Sequence, residues 1–237
     1  MRDPTCQRAS LRNRRNVPTV TRRTQLFLEW ALFFVTLPIG IAVLLPPAMM
    51  FPALFTLTGV GLVLLYLTKG FRWGSLLQGM RRISWALIGG VALGTFVVSY
   101  GVLALWHPER LFQLFGEGAP RTASGWSIIW IIALFYPLVS ALPQELVFRP
   151  LFFRRYGVLF PRWGLWVNAA VFSLAHLMYW SWVVAAMTFV GGWLFAWSYE
   201  RRGNFPEAVL AHSVAGVVLF AVGMGTYFYS GNVVRPF

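Results

Sequence analysis

Long apolar runs alternate along this chain with short connections that are polar or basic. Apolar side chains dominate residues 25–45, 49–68, 84–106, a run starting near Trp126, and then 163–179, 182–199 and 205–228. Each run is close to the ~20 residues that a helix needs to cross ~30 Å of hydrocarbon at 1.5 Å per residue. Hydrocarbon offers no partner for backbone polar groups, so a spanning run must be a helix or a strand of a closed barrel. Barrel strands are short and alternate apolar with polar positions; these runs do neither. The pattern predicts an all-α fold: a polytopic membrane helix bundle of about seven transmembrane helices. Pro46-Pro47 marks the first turn, and "HPERLFQLFGEGAPRTASG" is the one long connection of mixed charge.

Composition agrees with the pattern. Of the 237 residues, 58% are hydrophobic and only 11% are charged, against about a quarter charged in an ordinary soluble domain. The net charge of +13 suggests nucleic acid at first sight. The basic residues, however, form no single stripe. They fall into the tail (Arg2, Arg8, Arg12, Arg14, Arg15, Arg22, Arg23), the 69–83 connection (Lys69, Arg72, Arg81, Arg82), Arg154, Arg155 and Arg162, and Arg201 with Arg202. No nucleic-acid partner is expected; the partner is a lipid bilayer. With the N-terminus cytoplasmic, seven crossings put every one of those clusters on the same side, as the positive-inside rule requires. The expected location is a bacterial inner membrane. An Arg-rich, acid-poor start also resembles a transit peptide, but a retained tail before a first span is the preferred reading. The single cysteine, Cys6, excludes an internal disulfide and suggests no thiolate metal site. Three regions are expected: a basic cytoplasmic tail over 1–24, N-terminal spans over 25–124, and a second helix bundle over 125–237.

The chemistry lies in the later runs. Gln144, Glu145 and Arg149 sit at what reads as bilayer depth, where polar groups are expensive and are either paired or used. The next run holds Asn168 and His176, and the last holds Glu207, His212 and Ser213. Glu145 and Arg149 are i and i+4 and share a helix face; Asn168 and His176, two turns apart, also share one. Counted along their helices, Glu145, His176 and His212 lie ~16, ~20 and ~10 Å from the basic end. They therefore fall in one band. A carboxylate and two imidazoles at one level suit water activation with oxyanion stabilisation, or a divalent metal such as zinc held by Glu145, His176 and His212. The same residues also fit a structural Glu–Arg pair with packed imidazoles, a haem pair, or a proton relay in a transporter. Pro143 and Pro150 are expected to kink the helix and open a cavity. Trp126, Tyr179, Trp180 and Trp182 read as interface anchors, and Gly191 and Gly192 as points of close helix packing.

Three segments, "QELVFR" (144–149), "FSLAH" (172–176) and "HSVAG" (212–216), resemble the motifs Glu-Glu-x-x-x-Arg, Phe-x-x-x-His and His-x-x-x-Asn. These belong to the CAAX-protease and bacteriocin-processing family of intramembrane proteases, also called the abortive-infection family. The resemblance covers about residues 125–225. It implies an intramembrane endopeptidase that cleaves a membrane-associated or lipid-modified protein, with or without a metal. Carried over, the implied site residues are Glu145, Arg149, His176 and His212, with Phe172 in the second motif. Two positions depart: Gln144 stands where the first Glu belongs, and Gly216 where the Asn belongs. An amide is no general base. On that ground the alternative is a non-catalytic relative, acting as an immunity factor or assembly partner.

Overall fold

The computed structural model describes residues 20–113, 123–228 and 233–237. The expectations placed on Cys6 and on the basic tail before residue 20, and on the side chain of Trp126, lie outside the described residues. Helix α1 (Val20–Ala31) passes through a π-helical stretch, Leu32–Thr36, into α2 (Leu37–Leu44). Then follow α3 (Pro47–Tyr66), 3-10 turns at Trp73–Leu77 and Met80–Arg82, and α4 (Trp85–Trp106). The next element is one long bent helix. It comprises α5 (Ala123–Tyr136), a π stretch Pro137–Ala141, a single α turn α6 (Leu142–Leu146), and a second π stretch Val147–Tyr156. Helices α7 (Gly164–Leu174), α8 (Trp182–Glu200), α9 (Phe205–Val222) and the short α10 (Gly225–Phe228) complete the chain. No strand occurs among the described residues.

Six helical segments are long and apolar enough to cross a membrane; the seventh apolar run, Gly164–Tyr179, is helical but shorter. Its α-helix stops at Leu174, and a turn leads to a 3-10 stretch, Leu177–Tyr179. The pattern of apolarity therefore located all seven runs, while the fifth makes its passage with less regular helix than the others.

The helix ends follow local chemistry. Ser84, Ser181 and Asn204 cap α4, α8 and α9, each accepting from the backbone N–H three residues on, which satisfies one of the orphan donors of a helix start. Pro47 opens α3, where its missing N–H has no partner to lose. The π stretches lie at or near prolines: Pro38 stands two residues beyond the first, Pro137 begins the second and Pro150 lies inside the third. Proline removes an i→i−4 bond and clashes with the preceding turn. A locally widened turn accommodates it without ending the helix.

The basic connections meet at one end of the bundle. Glu29 of α1 accepts from Arg155 Nε at 2.5 Å and Nη2 at 2.9 Å, and also from the Tyr156 hydroxyl. Glu207 of α9 accepts from Arg202 at 2.6 and 3.2 Å and from the Ser84 backbone N–H at 2.7 Å. Those bonds make the Arg202 guanidinium still harder to deprotonate than usual. Asn204 donates to the Gly79 and Arg82 carbonyls at 3.0 and 3.2 Å, fastening the 69–83 connection to the start of α9. At the other end Trp106 meets Trp182 edge-on at 5.5 Å, and the Phe112 N–H bonds the last carbonyl of α9, on Val222, at 2.7 Å. The membrane core between them is aromatic: Phe34 is in edge-to-face contact with Phe33, Phe148, Phe152 and Tyr156. The N-terminal helices are thus packed directly against the bent helix.

Candidate functional site

The α6 turn presents its two polar side chains to different surroundings. Adjacent residues on a helix point ~100° apart. Glu145 faces α9 and is wholly buried; Gln144 faces a cavity on the opposite flank. The π stretches on either side set this rotation, because each adds a residue to its turn.

Glu145 is closed off by its partners. Its Oε2 accepts from Arg149 Nε at 2.8 Å, and its Oε1 from Arg149 Nη2 at 3.1 Å. The same Oε1 lies 2.9 Å from His212 Nδ1. A carboxylate and a guanidinium only accept and only donate, so His212 Nδ1 carries the hydrogen here. Arg149, also fully buried, passes its Nη1 to the Asn168 Oδ1, and Asn168 Nδ2 donates to the Phe148 carbonyl at 2.5 Å. Asn168 therefore ties α7 to the bent helix through the arginine. Phe172 and Phe195 flank the guanidinium, their centroids 5.0 and 5.8 Å from Cζ, a favourable setting for a desolvated cation. Phe195 also stacks on His212 at 5.0 Å.

His176 makes its hydrogen bond outside this group. The Phe172 ring is in contact with both imidazoles, 4.9 Å from His176 and 5.6 Å from His212. Gly192 makes the space for that ring, since a Cβ there would come within 2.8 Å of it. His176 Nδ1 donates to the Phe172 carbonyl at 2.8 Å, which leaves Nε2 as the unprotonated, basic nitrogen of the neutral ring. His176 lines a cavity of about 190 Å³ together with Gln144, Ser140, Thr58 and Tyr179; Glu145, Arg149 and His212 are not among its walls. The rest of the lining is apolar and largely from the N-terminal helices, including Phe33, Phe34, Phe51, Leu54 and Phe55. Phe51, Phe55 and Val139 are exposed at its rim, so it opens sideways toward lipid.

The structure thus brings Glu145, Arg149 and His212 together and leaves His176 with Gln144. Glu145 bonds both Arg149 and His212, whereas the hydrogen bond of His176 goes to the Phe172 carbonyl and to none of those three. Depth fixes a level in the membrane and not a direction around the helix. The donor set does not fit a metal ion as arranged. Both Glu145 oxygens, both His212 nitrogens and His176 Nδ1 already have protein partners. Among the described residues no group of three His, Cys, Asp or Glu side chains is arranged to hold one.

Two residues escaped the sequence reading. Tyr136 reaches His212 Nε2 with its hydroxyl at 3.3 Å, and Ser140 accepts from Gln144 Nε2 at 3.0 Å. Their spacing with Gln144, four and eight residues apart in an otherwise apolar run, was the available signal. Gly216 proves to be the space that Tyr136 fills: a Cβ at 216 would lie 2.2 Å from Tyr136 Cε1 and 2.6 Å from its hydroxyl oxygen.

No curated protein and no solved structure matches the chain. A family model does, and it covers the segment in which Gln144, Glu145, Arg149, His176 and His212 all lie. The resemblance carried by the three motifs is accordingly borne out: residues 125–218 of this multi-pass membrane chain match the Rce1-like family, described as type II CAAX prenyl endopeptidase Rce1-like.

Proposed function

We propose that this protein is an intramembrane endopeptidase of the CAAX type, hydrolysing a peptide bond in a lipid-modified or membrane-associated polypeptide, with His176 as the general base. The observation that carries the reading is His176 itself, a neutral imidazole whose Nδ1 is committed to the Phe172 carbonyl and whose ring lines a cavity open to lipid. Beside it, the Gln144 amide oxygen is buried with no protein partner among the described residues. A water donating one hydrogen to Gln144 Oε1 and the other to His176 Nε2 is oriented by an acceptor that cannot itself take the proton. The imidazole removes that proton as the water oxygen bonds to the scissile carbonyl carbon. The resulting imidazolium returns it to the leaving nitrogen as the C–N bond breaks. Tyr179 and Thr58, which also line the cavity, carry hydroxyls suited to donate to the developing oxyanion. Glu145, Arg149 and His212 form the buried scaffold that fixes the α6 turn.

The apolar walls and lateral rim suit a substrate delivered from the bilayer by its own hydrocarbon. The shared basic end is the cytoplasmic one by the positive-inside rule, which fits a bacterial inner membrane with the N-terminus inside. The test uses protein reconstituted in phospholipid vesicles and a farnesylated peptide ending in a CAAX sequence, with the unprenylated peptide alongside. Wild type is expected to cleave the prenylated peptide, and His176→Ala to lose at least ~100-fold in rate with an unchanged melting temperature. Cleavage undiminished in His176→Ala would overturn the assignment, as would wild type that cleaves neither peptide.

A further inference from the structure

We infer that Arg235, with Trp180 close by, is an oxyanion-binding site that takes the terminal α-carboxylate of the peptide entering the neighbouring cavity. The inference rests on the hydrolytic reading for the identity of the ligand but not for the chemistry of the site.

The other buried or half-buried arginines show what such a side chain does in this fold. Arg149, Arg155 and Arg202 each turn the same edge, Nε with Nη2, to the two oxygens of a glutamate: Glu145, Glu29 and Glu207 respectively. In Arg235 those two nitrogens are buried and have no hydrogen-bond partner among the described residues. Its Nη1 donates to the Val43 carbonyl, near the end of α2, at 3.3 Å. A guanidinium keeps its charge and only donates, and a buried charge without a partner is costly. The partner that this edge suits is an anion, and its two parallel N–H groups match the two oxygens of a carboxylate. Trp180 offers a third donor, for its Nε1 is likewise buried and unpartnered among the described residues. Both side chains lie against the Phe237 ring: Trp180 meets it edge-on at 5.3 Å, and Arg235 Cζ stands 5.9 Å from its centroid. Three buried donors without an acceptor are thus gathered around one ring.

The place adjoins the cavity that holds His176. Trp180 and Val233 belong to one apolar cluster with Leu54, Met178 and Tyr179, and the last three are also cavity walls. The length agrees as well. Trp180 follows His176 through the 3-10 stretch Leu177–Tyr179, four steps of ~2.0 Å, or ~8 Å in all. A peptide ending in a CAAX sequence carries its carboxylate three residues beyond the prenylated cysteine, ~10 Å away when extended. With the scissile bond at His176, the carboxylate reaches the level of Trp180. The Arg235 edge is covered by protein, so the carboxylate takes it as residues 233–237 give way. A phospholipid phosphate is an oxyanion too; the shared boundary with the cavity and the match in length favour the peptide.

The test compares the farnesylated CAAX peptide ending in a free carboxylate with the same peptide ending in a carboxamide, which keeps every side chain and removes the charge. In phospholipid vesicles wild type should cleave the acid with kcat/KM about 30-fold above the amide, the size of effect expected when a buried charge loses its partner. Arg235→Gln should bring the acid down to nearly the rate of the amide. Arg235→Lys, which keeps the charge and loses the fork, should fall between the two. Trp180→Phe keeps a ring against Phe237 and should lower cleavage of the acid several-fold. Wild type that cleaves both peptides about equally would overturn the inference and leave the hydrolytic reading standing. Arg235→Gln that loses rate on both peptides alike would overturn it too, and would put a phospholipid headgroup on the guanidinium. Wild type that cleaves neither peptide would remove the hydrolytic reading. Binding of fluorescent acid and amide peptides to His176→Ala then decides the site: tighter binding of the acid supports it, and equal affinity overturns it. Should Arg235→Gln fail to fold, the acid-to-amide comparison in wild type decides alone.

Discussion

Replacing Glu145 by glutamine separates a scaffold carboxylate from a catalytic one. The substitution preserves shape and removes one charge from a site where both Glu145 and Arg149 have no exposed surface. At an effective dielectric of about 20, two unit charges ~4 Å apart attract by about 4 kcal/mol. Removing one member of a buried pair characteristically destabilises by ~3–5 kcal/mol, because the other charge is left uncompensated. The amide oxygen of the variant still accepts from His212 or Arg149, which returns about 1 kcal/mol. The expected loss is therefore about 3 kcal/mol. At 2–4 °C per kcal/mol for a chain of this size, that is a fall of about 6–12 °C in melting temperature. The measurement is the fraction of detergent-solubilised protein that stays folded against temperature, set beside cleavage at a temperature where the variant remains folded. Glu145→Gln should melt early yet retain a substantial share of its cleavage rate. The double variant Glu145→Gln with Arg149→Met should recover much of the lost stability, since it leaves no charge behind. The opposite pattern, an unmoved melting temperature with cleavage abolished, would make Glu145 the proton acceptor and refute the division of the site drawn above.

Further consequences concern the cavity and the basic end. Gln144→Glu puts a carboxylate beside the position assigned to water. It is expected to raise the cleavage rate several-fold, because a charged acceptor holds a water hydrogen more strongly than an amide does. In wild type, cleavage should decline once the pH is low enough to protonate His176, and a rate that never declines on acidification of folded protein would contradict its role. Asn204→Ala removes the α9 cap and two bonds to the 69–83 connection. Its cost should be roughly 2 kcal/mol, and trypsin should cut faster after the exposed Arg81 and Arg82, a change absent if that connection is held by other contacts.

Much of this protein was legible without coordinates, and for a definite reason. Lipid demands continuous apolar helices, so hydropathy alone located seven runs, and proline and serine marked several of their ends. The i,i+4 relation of Glu145 and Arg149 likewise needed only helical geometry. The three motifs were enough to identify the family resemblance over the later part of the chain. What could not be read was direction. Whether Gln144 or Glu145 faces the cavity depends on two π stretches, and π geometry is a compromise between prolines and the packing around them. Only the fold puts Phe172 against both imidazoles, because that ring needs the gap left by Gly192 on another helix. Gly216 reads in the sequence as a missing side chain; in the structure its place is taken by Tyr136, a contact between residues eighty positions apart. Sequence periodicity fixes which residues share a helix and at what depth, since both follow from rise and turn. Which of them meet across helices depends on rotation and close packing, and those are settled only when all the helices are together.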